Sequence, residues 1–151
     1  MKHRSPGSPS RGSGFTSLEL MIAVAVAGIL SSLAYPSFVD QLTRARRVDA
    51  IAAVSAAQLA QERWRANRTS YGSLADIGVA GVSGAGHYTL QVIASSATGY
   101  QILATARGTQ ARDEACRNLR LEVAGANFVY ASGPDSTVGN PAPVNRRCWS
   151  L

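Results

Sequence analysis

Two histidines and two cysteines are all that this chain of 151 residues offers of those metal-binding and nucleophilic types. His3 and His87 are far apart in sequence, and Cys116 and Cys148 fit no C-x-x-C redox or zinc pattern. The chain contains no H-E-x-x-H, no phosphate-binding G-x-x-x-x-G-K-[ST], no G-x-S-x-G and no paired-acid site on a recognisable scaffold. Asp113-Glu114 is acidic, but calcium needs several oxygens from one compact loop, and Arg112 and Arg117 adjoin the pair. Both acids read as solvated loop residues, and His87 as a surface or turn histidine. The expectation is a protein that is not an enzyme and holds no cofactor and no metal.

Acid is also missing from the first 14 residues, which carry Lys2, Arg4 and Arg11 among Ser, Gly and Pro. Without that leader, 12 basic and 9 acidic side chains remain, a balance of +3 rather than the formal +6. Such a balance lacks the concentrated basic face of a dedicated nucleic-acid binder. The leader also lacks an apolar h-region, so it reads as the n-region of a targeting signal.

Between Leu20 and Val39 charge is absent altogether, and in the longer apolar stretch 15–39 Glu19 is the single exception. About 25 residues at about 1.5 Å each span a bilayer core. Ala23-Val24-Ala25 and Ala25-Val26-Ala27 leave an ordinary secretory cleavage open. A plain signal, however, has no use for an acid that costs several kcal/mol in lipid. Cleavage before Phe15 gives that acid a partner: the new α-amino group lies one helical turn from Glu19, beside a positive helix N-terminus.

Gly14-Phe15-Thr16-Ser17-Leu18-Glu19, with its basic leader and following apolar run, resembles the class III signal of type IV prepilins. The resemblance implies cleavage between Gly14 and Phe15 by a membrane-embedded prepilin peptidase, which also N-methylates Phe15. It implies that Glu19 is the assembly carboxylate, registering an incoming subunit on a neighbour's terminal amine. Ser17 departs from the usual apolar residue without touching either step.

Beyond the apolar run the helical pattern continues to about Ala66, giving one helix from about Thr16, bent near Pro36. Leu42, Ala45, Val48, Ala52, Ser55 and Leu59 recur at spacings of three and four and predict the stripe that packs on a sheet. Arg44, Arg46 and Arg47 read as a solvated face making intersubunit salt bridges, with DNA or an anionic surface as the alternative. Asn67-Arg68-Thr69 matches the N-glycosylation pattern, a short and unspecific match.

After an irregular connector, strand signals occupy 87–94 and 99–106, joined by the turn-prone 95–98, then 119–123 and 127–131. The tail 132–147 reads as loop, closed by Cys148. With an exported head, Cys116 and Cys148 form a disulfide in the natural reading; the alternative is two unrelated buried thiols. A helix before an antiparallel meander is an α+β arrangement. This order resembles type IVa pilins. Arg46-Arg47-Val48-Asp49-Ala50, Gln61-Glu62-Arg63-Trp64, Asp113-Glu114-Ala115-Cys116 and Cys148-Trp149 look like the PilE-type minor pilins of pseudomonads and β-proteobacteria.

The organisation expected is a leader over 1–14, a transmembrane and filament-core helix over 15–39, and a periplasmic pilin head over 40–151. The resemblance implies a Gram-negative inner-membrane precursor that becomes part of an extracellular pilus and supports twitching motility, adhesion or DNA uptake. Its partners would be other pilin subunits, the prepilin peptidase/N-methyltransferase and the inner-membrane assembly machinery. A major pilin, a type II secretion pseudopilin and a DNA-binding uptake pilin using Arg44–Arg47 or Arg146-Arg147 are the alternatives.

Overall fold

The computed structural model describes residues 15–151, and at Pro36 the backbone alone. The leader, Gly14 included, lies outside the described residues. The chain divides into two units, residues 1–39 and Asp40–Leu151, and helix α1 (Ser17–Arg65) runs through both.

In the first unit, Thr16 starts the helix: its hydroxyl accepts from the Glu19 N–H at 3.2 Å and its carbonyl from the Leu20 N–H at 3.1 Å. This is the Ser/Thr half of a capping box, with Glu19 at the third helical position. Every large apolar side chain from Phe15 to Val39 is exposed. A helix apolar all round and buried against nothing in its own unit needs an apolar medium from outside. Ser32 and Ser37 satisfy their hydroxyls on the carbonyls of Ile29 and Ala34, which removes the main cost of placing them in lipid. The helix assignment continues through Pro36.

The second unit is an antiparallel meander, β1 (Tyr88–Ser95), β2 (Gly99–Ala106), β3 (Asn118–Ala124) and β4 (Asn127–Gly133), in sheet order β1-β2-β3-β4. Register aligns Ile102 with Leu121 and Ala104 with Leu119, so period-2 alternation puts them on one face. That face, with Tyr88, Leu90 and Tyr100, buries Ala50, Val54 and Ala57 of α1. Two alanines among the three helix contacts leave room for the two tyrosine rings, both almost wholly buried. The β1–β2 turn is closed by the Ser96 hydroxyl, which accepts from the N–H groups of Thr98 and Gly99. Gly99 is required there, since a Cβ would stand 2.2 Å from the Val123 carbonyl oxygen.

Three sequence expectations are corrected. The helix stripe is Arg47, Ala50, Val54, Ala57 and Gln61, whereas Val48 and Leu59 of the expected stripe are 60% and 52% exposed. In so alanine-rich a helix both stripes carry small apolar residues, and polar side chains that bond to the head choose between them. The tail is not all loop: α2 (Ala142–Trp149) follows an N-cap at Pro141, with Pro143 in its first turn. Proline at a helix start loses no hydrogen bond and presets φ, so the prolines that suggested a loop begin a helix. Asp113 is buried rather than solvated, and Arg47 is its partner.

Candidate functional site

The residues that the sequence singled out fall at the start of α1 and along a polar seam of the head. At the helix start Phe15 precedes the first turn and is 81% exposed, and Glu19 stands in that turn. Among the described residues Glu19 takes part in no ion pair. The Thr16 cap fixes where the helix begins, and hence which side of it Glu19 occupies. A T-x-x-E run before an apolar stretch was a readable signal for that cap.

In the head, Arg47 donates to both oxygens of Asp113, from Nε at 2.6 Å and Nη2 at 2.8 Å. The two side chains are 12% and 7% exposed, so this bidentate pair is largely desolvated. The Gln110 amide nitrogen lies 3.0 Å from the Thr43 carbonyl, 3.1 Å from the Tyr88 hydroxyl and 3.3 Å from Asp113. Burial pushes the Tyr88 hydroxyl up to about 12, so it remains a neutral partner of this network. Asp113 is the N-cap residue of the short 3-10 segment Glu114–Cys116, and the Cys116 sulfur is bonded to Cys148 on α2, with Cα atoms 5.4 Å apart. Arg47 Nη1 also donates to the Arg147 carbonyl at 3.3 Å. One arginine therefore ties α1 to both sides of the disulfide.

Asp49, two residues on, accepts from the Ser83 hydroxyl at 2.5 Å, the Ala85 N–H at 2.9 Å and the His87 N–H at 3.2 Å. Burial raises its pKa, but these bonds together with the charge of His87 outweigh that and hold the carboxyl below its usual 3.8. A carboxylate depressed on folding adds stability above its unfolded pKa, and that stability is lost as pH falls through the lower folded value. Urea titrations of the full chain in detergent should show a loss of stability below about pH 4 that is shallower in Asp49→Asn. An equal slope in both would remove Asp49 from the acid response.

Gln61, fully buried, acts as a backbone mimic: its Nε2 donates to the Gly72 carbonyl at 2.6 Å and its Oε1 accepts from the Gly72 N–H at 3.0 Å. It pins the connector beneath the C-terminal end of α1. There the Arg68 guanidinium lies 4.7 Å from the Trp64 ring centre and that of Arg65 lies 5.9 Å from Tyr71. Arg63 is exposed beside them. Gln61-Glu62-Arg63-Trp64 carried part of the family resemblance, but nothing local in that run signals the Gly72 bonds of Gln61 or the arginines on aromatic faces.

A long apolar helix start continuing into a helix packed on a four-stranded antiparallel meander, closed by a late disulfide, defines a type IV pilin. A family model described as "Type IV minor pilin ComP, DNA uptake sequence receptor" matches residues 36–120. The chain belongs to that family of type IV pilins. It is 30% identical over 142 residues to the "Type IV major pilin protein PilA" of Myxococcus xanthus, covering 91% of this chain and 59% of that protein. It is 39% identical over 66 residues to the "Type IV major pilin protein PilE1" of Neisseria gonorrhoeae, covering 39% of this chain and 40% of that one. A "Fimbrial protein" of Pseudomonas aeruginosa is 45% identical over 49 residues, 32% of each chain. The chain therefore spans less than two thirds of the length of these relatives.

Proposed function

We propose that the chain is a minor type IV pilin, made as an inner-membrane precursor with its head, residues 40–151, in the periplasm. The prepilin peptidase cuts between Gly14 and Phe15 and N-methylates Phe15, and residues 15–39 then pass from the bilayer into the filament core. The observation that carries this reading is Glu19: a carboxylate in the first turn of an all-apolar, exposed helix, with no ion-pair partner among the described residues. A neighbouring subunit's amine at Phe15 supplies that partner, and pairing them aligns two subunits along the axis. The test is Glu19→Ala in cells. The account expects unchanged membrane insertion and at least about a tenfold loss from sheared filaments, the scale of one lost ion pair worth 1.4 kcal/mol or more. Normal incorporation would sink the role.

The family description favours a second role on the same head, as a receptor for DNA. Arg47 and Arg44 are poor candidates for phosphate contact, since each is held by an aspartate of its own head. Arg63, Arg65 and Arg68, on and beside the faces of Trp64 and Tyr71, are better placed: cations follow the backbone and the rings accept bases. Glu62 and Asp76 lie in the same region and subtract from its charge. Replacing the three arginines with glutamine should lower the slope of log affinity against log salt by about 2–3. A slope unchanged by the three substitutions would place DNA elsewhere or nowhere on this head.

A further inference from the structure

The sheet has two outer strands, and they are finished differently. β1 is covered: the Leu90 N–H donates to the Gly81 carbonyl at 2.9 Å, and the Tyr88 carbonyl accepts from the Ser83 N–H at 2.9 Å. A bridge joins Val82 to Thr89, and the pairing of β1 with β2 shifts register between Val92 and Ala94. Such cover and such irregularity keep an edge from pairing with other strands. Among the described residues, cover on β4 begins at Ala131, whose carbonyl takes the Trp149 indole, and continues at the Ser132–Gly139 bridge. Upstream, Asn127-Phe128-Val129-Tyr130-Ala131 has no charge and no proline, and its pairing with β3 runs without a shift. Phe128, Val129 and Tyr130 are 51%, 53% and 37% exposed.

Hydrogen bonding across the sheet fixes which backbone groups this strand leaves open. The Gly125 N–H donates to the Thr98 carbonyl and the Ala106 N–H to the Arg117 carbonyl, both at 2.8 Å. Odd-numbered residues from Arg117 to Gly125 therefore face β2, and even-numbered ones face β4. Across the β3–β4 register, Asn127, Val129 and Ala131 turn their N–H and C=O groups toward β3. Phe128, Tyr130 and Ser132 turn theirs outward. The Ser132 carbonyl accepts from the Asn140 N–H at 3.0 Å, in keeping with this phase. The outward groups of Phe128 and Tyr130 have no such partner among the described residues.

An identical strand satisfies these groups. Antiparallel and centred on Val129, a second copy sets its Tyr130 opposite Phe128 and its Phe128 opposite Tyr130. All the outward N–H and C=O groups of both residues are then paired, and Val129 meets Val129 on the other face. Centring on Tyr130 would call on Ser132, whose carbonyl is taken, and centring on Phe128 would call on Ala126, in the turn. Aromatic pairs stabilise antiparallel strands, and an uncharged strand sets no like charges opposite one another. We propose that two copies of this chain pair through their β4 edges into one continuous sheet across both heads. The two-fold axis of that pair stands normal to the sheet and reverses every direction in its plane. α1 lies along the sheet through Ala50, Val54 and Ala57, so its head halves, 40–65, run oppositely in the two copies. The contact joins copies that face one another, whereas neighbours in one filament share a direction. It goes beyond the assembly role of Glu19 and does not depend on it. Strand addition over 127–131 covers less than about 1,200 Å², the low end for specific interfaces, so the pair is transient.

Cross-linking of the full chain in detergent tests both the contact and its register. The two native cysteines are joined to each other, so an introduced cysteine is the free thiol. Residues that face each other without exchanging hydrogen bonds, as Val129 does here, have Cα atoms about 4.5 Å apart, within disulfide reach. Val129→Cys should form a disulfide dimer about tenfold faster, or more, than a collisional control. Ile93→Cys is that control, at a residue 44% exposed on β1. Phe128→Pro removes one outward N–H and leaves the β3 ladder its bonds. Added to Val129→Cys, it should return the rate to that of the control. Asn127→Cys alone should stay slow, and Asn127→Cys together with Ala131→Cys should cross-link, since those positions face each other in this register. Unchanged hydrogen exchange at 102–104 and 119–121 shows that the variants are folded. Equal rates at 129 and 93, or a Val129→Cys rate that survives Phe128→Pro, overturns the proposal, as does Asn127→Cys alone matching Val129→Cys. So does slow exchange at Phe128 and Tyr130 in filaments where Val129→Cys yields no dimer, because the edge then belongs to a different protein.

Discussion

Asp113→Ala is expected to destabilise the head by about 3–5 kcal/mol, the range for removing one partner of a buried ion pair. The reason is what it leaves behind. Arg47, 12% exposed, keeps its charge but loses both carboxylate oxygens that it donates to, and Gln110 loses an acceptor. The loss should be larger than the net worth of the pair, so Arg47→Met combined with Asp113→Leu should recover most of it. Urea unfolding of the full chain in detergent, followed by tryptophan fluorescence, gives both numbers. A double variant as unstable as Asp113→Ala would show that the pair does more than compensate its own desolvation.

Replacing both Cys116 and Cys148 with serine should cost about 3–4 kcal/mol, the chain-entropy value for a closed loop of this size. Their separation is 32 residues, and the loop they close includes β3, β4 and nearly all of α2. The sheet itself does not depend on the bond. Among the contacts that still hold α2 are the Trp149 indole N–H donating to the Ala131 carbonyl at 2.9 Å, its edge contact with Tyr130, the Ser132–Asn145 bond of 2.6 Å and the Arg47 bond to the Arg147 carbonyl. Loss of protection should therefore concentrate in 134–151, with β1 and β2 little changed. Hydrogen exchange on the serine variant checks this. Uniform loss over the whole sheet would mean that α2 and the meander unfold as one unit.

Much of this fold is legible in the sequence because its signals are local. Alternation over Leu119–Val123, the Ser95–Thr98 turn before Gly99 and the uninterrupted apolar start of α1 each need only a few neighbouring residues to be recognised. The buried stripe of α1 is different. Ala45 and Ala52 resemble Ala50 and Ala57 in every intrinsic property, and the choice between them is made by Arg47, Asp49 and Gln61. Those three bond to residues 66, 34 and 11 positions away. Polar residues on a helix look solvated until such partners are known. Asp113 was obscured in the same way, lying between Arg112 and Arg117 in sequence while its true partner is on α1. At the helix start the sequence carries the cap and the carboxylate but not the second subunit that the proposed pairing calls for.

The account stands on the chain being cut at Gly14 and built into a filament. Intact-mass measurement of the protein recovered from sheared filaments tests that most directly. The expected chain begins at N-methylated Phe15 and carries the disulfide between Cys116 and Cys148. A chain that begins at Met1 and is recovered only with the membrane would contradict it.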